Sequence, residues 1–114
     1  MEIKIIKDKI SLAEIKELAR QIFGDMVKVV VDVERGLMAA GGEMHADCEQ
    51  VLLDDGSKQE NLWGANIYPD KERADRIEYT SLINIRPAAG NRSLEIQDQA
   101  VRDKVKAVID GLII

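Results

Sequence analysis

One cysteine, one histidine, one tryptophan and two prolines are all that 114 residues hold of these types, and aromatic side chains make up only 4%. A lone cysteine closes no internal disulfide, so the chain is expected to fold in a reducing compartment on its apolar core alone. At this length a core can be buried without disulfide or metal. No segment approaches the ~20 consecutive apolar residues of a membrane span. Met1-Glu2-Ile3-Lys4 lacks the apolar stretch of a signal peptide, and a cytoplasmic location is expected. Positive charge is also short: 16 Lys and Arg stand against 21 Asp and Glu, a net charge of −5 and a pI near 4.9. A chain with that balance lacks the field that displaces counterions from nucleic acid or gathers it onto an anionic membrane, so neither is an expected partner. There is no repeat, low-complexity tract or linker, and residues 1–114 read as a single domain.

What the sequence does hold is clean periodicity. Ile3 and Ile5 alternate with charged residues and predict a short strand over 2–6. Ser11 followed by Glu14 is a capping box, in which each side chain satisfies an amide left open by the helix start. Leu12, Ile15, Leu18, Ala19 and Ile22 then recur at helical spacing, and Gly24 is the expected stop. From Val27 the period changes to two: Val27, Val29, Val31 and Val33 share one face, with Lys28, Val30, Asp32 and Glu34 on the other. A two-residue turn at Arg35-Gly36 closes a hairpin that sets Glu34 opposite Leu37, Val31 opposite Ala40 and Lys28 opposite Glu43.

The run Glu43-Met44-His45-Ala46-Asp47-Cys48-Glu49 alternates ionisable with small or apolar residues and predicts another strand. Asp54-Asp55-Gly56-Ser57 is a turn signal rather than a calcium loop, because the later ligand spacing is absent. Folding about it sets Cys48, Ala46 and Met44 opposite Trp63, Ala65 and Ile67. The other face then pairs His45 with Asn66, Glu43 with Tyr68 and Asp47 with Gly64. Residues 77–86 alternate once more, 87–92 form a turn, and Leu94 with Ile96 suggests a brief returning strand. Asp98 caps a last helix with Val101, Val105, Val108, Ile109 and Leu112 on one stripe. The fold class expected is α+β: an antiparallel meander of four to six strands, with an N-terminal and a C-terminal helix packed on one face as a two-layer sandwich.

The face without helices is the candidate site. It gathers Glu43, His45, Asp47, Asn66, Tyr68, Asn84 and Arg86, with Gly41, Gly64 and Ala39 flooring a shallow groove. The ligand-binding set is His45, Asn66, Tyr68, Asn84, Arg86 and Arg92. Arg86 and Arg92 flank a glycine-containing turn whose amides and guanidinium forks suit a carboxylate or phosphate, so a small anionic ligand is the leading expectation. A homodimer that buries this face against its symmetry mate is the alternative. Glu43, His45 and Asp47 are the metal candidates, but one histidine and two acids fall short of the usual three or four ligands once Lys28 pairs with Glu43, and no cofactor is expected. A hydrolase-type reading takes His45 as general base, oriented by Asp47 or Glu43, with Arg86 stabilising developing negative charge. No nucleophile is marked for it: Ser81 and Cys48 fall on the core face, as do Trp63 and Tyr79.

Four stretches also resemble a known family. They are Phe23-Gly24-Asp25-Met26-Val27-Lys28, Gly41 through Asp47, Gly56 through Gly64, and Ser81 through Pro87 continuing to Gly90-Asn91-Arg92-Ser93. Together they resemble a family of small prokaryotic conserved hypothetical proteins, a domain of unknown function, over nearly the whole chain. That resemblance implies a free-standing cytoplasmic protein and transfers no catalytic residues.

Overall fold

A computed structural model describes residues 2–114. Strand β1 is Lys4–Ile6. The Ser11 hydroxyl then accepts the Glu14 amide at 3.1 Å, and helix α1 runs Leu12–Ile22 with Ile15, Leu18 and Ala19 buried. Gly24 ends the helix at φ 93°, its amide bonded to the Ala19 carbonyl. β2 (Val27–Asp32), β3 (Leu37–Ala40), β4 (Leu62–Ile67) and β5 (Ile77–Glu78) complete one sheet in the order β1-β3-β2-β4-β5, antiparallel at every pairing. β2 is central and its Val29, Val30 and Val31 are fully buried. Burial of each such side chain contributes about 1.5–3 kcal/mol.

The fold class is the one expected. Val27, Val29, Val31, Met38, Ala40, Ala65 and Ile67 pack under α1 and under α3, which spans Gln99–Leu112. Asp98 caps α3 by accepting the Ala100 amide at 2.8 Å. Trp63 joins the same core, with Tyr79 packed against it.

Two details of the sheet differ from expectation. The β2–β3 loop has four residues rather than two, because the Asp32 carboxylate accepts the amides of Glu34 and Arg35 and its carbonyl accepts that of Gly36. The register therefore moves by two, setting Val31 opposite Met38 and Val29 opposite Ala40 instead of Val31 opposite Ala40. A shift of two keeps every side chain on its expected face.

The larger correction concerns residues 43–49. They form no strand: His45–Asp54 is a helix, α2. Its buried residues are His45, Cys48 and Leu52, a helical stripe hidden inside an apparent alternation. The Asp54-Gly56 turn is the end of this helix. Gly56, at φ 100°, donates to Leu53 while Ser57 donates to Leu52, the paired bonds of a Schellman cap. The second hairpin therefore does not exist. β4 pairs with β2, placing Val31 opposite Trp63, Val29 opposite Ala65 and Lys28 opposite Asn66. The chain passes from β3 to β4 through α2, whose Cys48 and Leu52 pack with Val30, Leu37, Ala39 and Leu62. The face expected to lie bare thus carries a helix and a second apolar cluster.

Past β4 the expected long strand over 77–86 is only two residues. Short 3-10 turns occupy Leu82–Asn84 and Pro87–Ala89, with single bridges between Thr80 and Glu95 and between Arg86 and Asn91. Ser81 sits directly on Gly64, where a Cβ would stand 2.5 Å from the Ser81 Cβ and 2.6 Å from its Oγ. No described helix is long and apolar enough to cross a membrane.

Gly64→Ala should therefore lower stability by about 1–3 kcal/mol, because the Ser81 backbone segment must move to admit the methyl group. Gly111→Ala, in α3 with open space around its Cα, should raise stability by about 0.5–1 kcal/mol. Urea midpoints at unchanged m-value measure both, and a neutral Gly64→Ala contradicts the close contact.

Candidate functional site

The Ser81–Ala89 segment leaves a cleft on each side of itself, and Ile83 lines both. The smaller, about 420 Å³, opens between this segment and the start of α2, over Lys28 and Asn66 of the sheet. The larger, about 760 Å³, lies between the same segment, Glu49 of α2 and the Gln59–Asn61 turn. Both fall within the size range of small-molecule sites.

Of the residues expected in one site, His45 and Asn66 share the smaller cleft. Their adjacency was expected from a hairpin, but it arises from the first turn of α2 crossing β4. His45 Nε2 lies 2.9 Å from the Ala65 carbonyl, so in the neutral ring Nε2 carries the proton and Nδ1 keeps its lone pair. Burial holds the His45 pKa below its ordinary value, and Lys28 adds to that. The Ala65 carbonyl, Asn66 and the charge of Glu78 oppose it only in part. The Asn66 amide donates to Glu78 and to the Thr80 carbonyl, while its Oδ1 has no partner among the described residues. Of the described residues on this cleft, Lys28 is the only one with a charged side chain. Its rim is apolar, with Leu82 77% exposed, Met44 56% and Leu94 41%.

The other expected residues disperse. Asn84 is fully buried and lines neither cleft: Oδ1 accepts the Gly64 amide at 2.8 Å and Nδ2 donates to the Gly64 carbonyl at 3.0 Å. Arg86 lines the larger cleft, donates to the Leu62 carbonyl and stacks 4.7 Å from the centre of the Trp63 ring. Tyr68 lies by β5, its hydroxyl 3.4 Å from Glu78 and its ring under Lys71. Arg92 is exposed, with its backbone amide on Gln97. Glu43 and Asp47 are exposed and contribute nothing to the hydrogen bonding of His45, so neither orients the imidazole as a general base would need. Among the described residues no three His, Cys, Asp or Glu side chains gather as metal ligands. The loss of the 43–49 strand explains the scatter, since that strand was to align these residues on one face.

Cys48 is fully buried and its thiol pKa is pushed up to about 11, chiefly by desolvation, which leaves no nucleophile there. Sequence reasoning missed Glu49, Ser81, Thr80 and the apolar rim. Ser81 had a readable signal, as its hydroxyl accepts the Ile83 amide to open the 3-10 turn. The exposure of Leu82 and Leu94 had none.

Fold and clefts together define an α+β protein whose sheet is covered on both faces, with two ligand-sized openings beside one connecting segment. The chain belongs to the family described as protein of unknown function (DUF5674), whose model matches residues 4–112, in keeping with the resemblance to a domain of unknown function. No curated protein and no solved structure matches it.

The burial of His45 and Cys48 has two measurable outcomes. Because the folded pKa of His45 lies below the unfolded value of about 6.5, the unfolded chain binds more protons between the two values. The stability contributed by the neutral ring is complete above about pH 6.5 and is lost as pH falls through the folded value. Wild type should lose more stability than His45→Gln between about pH 7 and pH 5, and parallel pH profiles would show that the ring carries no such linkage. For Cys48, ionisation alone should make reaction with an aromatic disulfide reagent at pH 8 at least ~100-fold slower in the native protein than in urea. Fast labelling of the native protein contradicts the burial.

Proposed function

We propose that the protein binds a small molecule with an apolar body and a carboxylate-like anionic head in the cleft between α2 and residues 80–83. The observation that carries this reading is the lining of that cleft. Lys28 is its single charge among the described residues, and Met44, Leu82 and Leu94 form an exposed apolar rim. The uncommitted atoms of His45 and Asn66, Nδ1 and Oδ1, are acceptors, so they suit a hydroxyl or N–H on the ligand body and leave the anionic head to Lys28. Few polar groups converging inside an apolar wall are the usual make-up of a ligand site. Charge supports the anionic head: no described carboxylate lines the cleft, and the first-turn amides of α2 have no side-chain cap at Met44. This keeps the anionic ligand expected from the sequence and moves its cation from Arg86 to Lys28.

The exposed rim also favours a second reading, in which two copies pair through Met44, Leu82 and Leu94. Binding of hexanoate, monitored as thermal stabilisation, separates the two. Saturable stabilisation is expected with hexanoate and less with hexanol, and Lys28→Gln should weaken hexanoate about tenfold, or ~1.4 kcal/mol. Equal responses of wild type, Lys28→Gln and His45→Gln sink the ligand reading. Light scattering on the same samples removes the pairing reading if the protein is monomeric at every concentration.

A further inference from the structure

We propose that the larger cleft, walled by Glu49, Arg86 and the Ile83–Pro87 stretch, is a separate binding site for a zwitterionic α-amino acid with an apolar side chain. Three observations converge on that chemistry. The first is a guanidinium held in place before any ligand arrives. Arg86 is stacked on Trp63, donates through Nη2 to the Leu62 carbonyl, and retains 15% side-chain exposure. A planar, stacked arginine is preorganised for a carboxylate.

The second is an ion pair left open. Glu49 Oε2 approaches Arg86 Nη2 only to 4.0 Å, beyond hydrogen-bond reach, and both Glu49 Oε2 and Arg86 Nη1 have no hydrogen-bond partner among the described residues. Two neighbouring side chains of opposite charge thus keep one unused acceptor and one unused donor. Buried polar atoms are rarely left so, and such exceptions call for a partner. Both atoms are closed to solvent, so binding turns the two side chains outward: a ligand carrying adjacent carboxylate and ammonium groups then supplies both, the carboxylate to Arg86 and the ammonium to Glu49.

The third is the remaining wall. Glu60 adds a second carboxylate, while Ile83, Ile85 and Pro87 give an apolar surface on which Ile85 is 44% exposed. A simple anion placed here faces two carboxylates, and a simple cation faces the arginine. A molecule bearing both charges on neighbouring atoms, with an aliphatic side chain, meets neither conflict. The site is independent of the carboxylate cleft, since the two share only Ile83.

The test is a methyl-detected NMR titration of the full chain with L-leucine, L-leucine methyl ester and 4-methylpentanoate. Leucine should shift the Ile85 methyls saturably and leave those of Met44 and Leu94, which line only the other cleft, in place. The ester lacks the carboxylate charge and 4-methylpentanoate lacks the ammonium, and each should bind at least about tenfold more weakly. Glu49→Gln, with an unchanged spectrum elsewhere, should weaken leucine to the level of 4-methylpentanoate. Arg86→Gln should abolish binding, and because Arg86 also supports Leu62, the comparison of ligands on wild type stands if that variant fails to fold. The proposal is overturned if leucine gives no saturable shift at Ile85, if the ester or 4-methylpentanoate binds as well as leucine, or if leucine shifts Met44 and Leu94 instead.

Discussion

The side-chain amide of Asn84 stands in for a strand. β5 covers only the last residues of β4, pairing with Asn66 and Ile67, so the outward amide and carbonyl of Gly64 face a sheet edge with no neighbouring strand. Asn84 supplies the missing peptide group, accepting from one and donating to the other. Each buried backbone group left unpaired would cost about 1–3 kcal/mol. Arg86 does the same for the Leu62 carbonyl one step along the edge. Asn91 in turn fixes Asn84, donating from Nδ2 to the carbonyls of Asn84, Ser93 and Glu95 and accepting the Gln97 amide. The result is a chain of amides that runs from the sheet into the irregular 81–97 segment and protects an edge open to unwanted pairing.

Everything of functional interest depends on that attachment. The segment lies so close to β4 that only glycine fits at position 64. By standing there it walls the space beside α2 into two clefts of different character. One is apolar with a single positive charge; the other carries an arginine and two carboxylates. The contrast is electrostatic rather than a matter of size. It bears on the anionic ligand expected from the sequence, because Arg86, which with Arg92 prompted it, shares its cleft with Glu49 and Glu60, while Lys28 has no described acid on its cleft.

Much of the fold was legible because its signals were local and redundant. The capping box at Ser11, the valine alternation and the Asp98 cap each stated one element in two ways, and even a wrong loop length moved the β2–β3 register by an even number and left the faces intact. The 43–49 run carried two periods at once. Its alternation is real, but His45, Cys48 and Leu52 also fall on one helical stripe, and a run this short cannot arbitrate between the two. The residues beyond it favour the helix: Gln50, Leu52 and Leu53 are good helix formers, as is Glu49 before them, and Asp55-Gly56 can cap as well as turn. The roles of Asn84 and Asn91 were not legible at all. An asparagine bound to a strand 20 residues away has no sequence period, so its polar character read as a ligand contact.

His45 shows how a correct neighbour can come from a wrong backbone. It reaches β4 as part of a helix, and that alters its chemistry. A strand histidine between Glu43 and Asp47 would have been held charged by two acids. In the first turn of a helix the imidazole sits at the positive end of the peptide dipoles, beside Lys28 and away from solvent, and all three disfavour a proton on Nδ1. Its Nε2 proton is committed to the Ala65 carbonyl. The ring is thus held as a neutral acceptor rather than as a cation, and any anion bound in the cleft must draw its charge partner from Lys28 and the α2 amides. The same geometry that disfavours a proton on His45 also leaves Lys28 as the positive charge of the cleft.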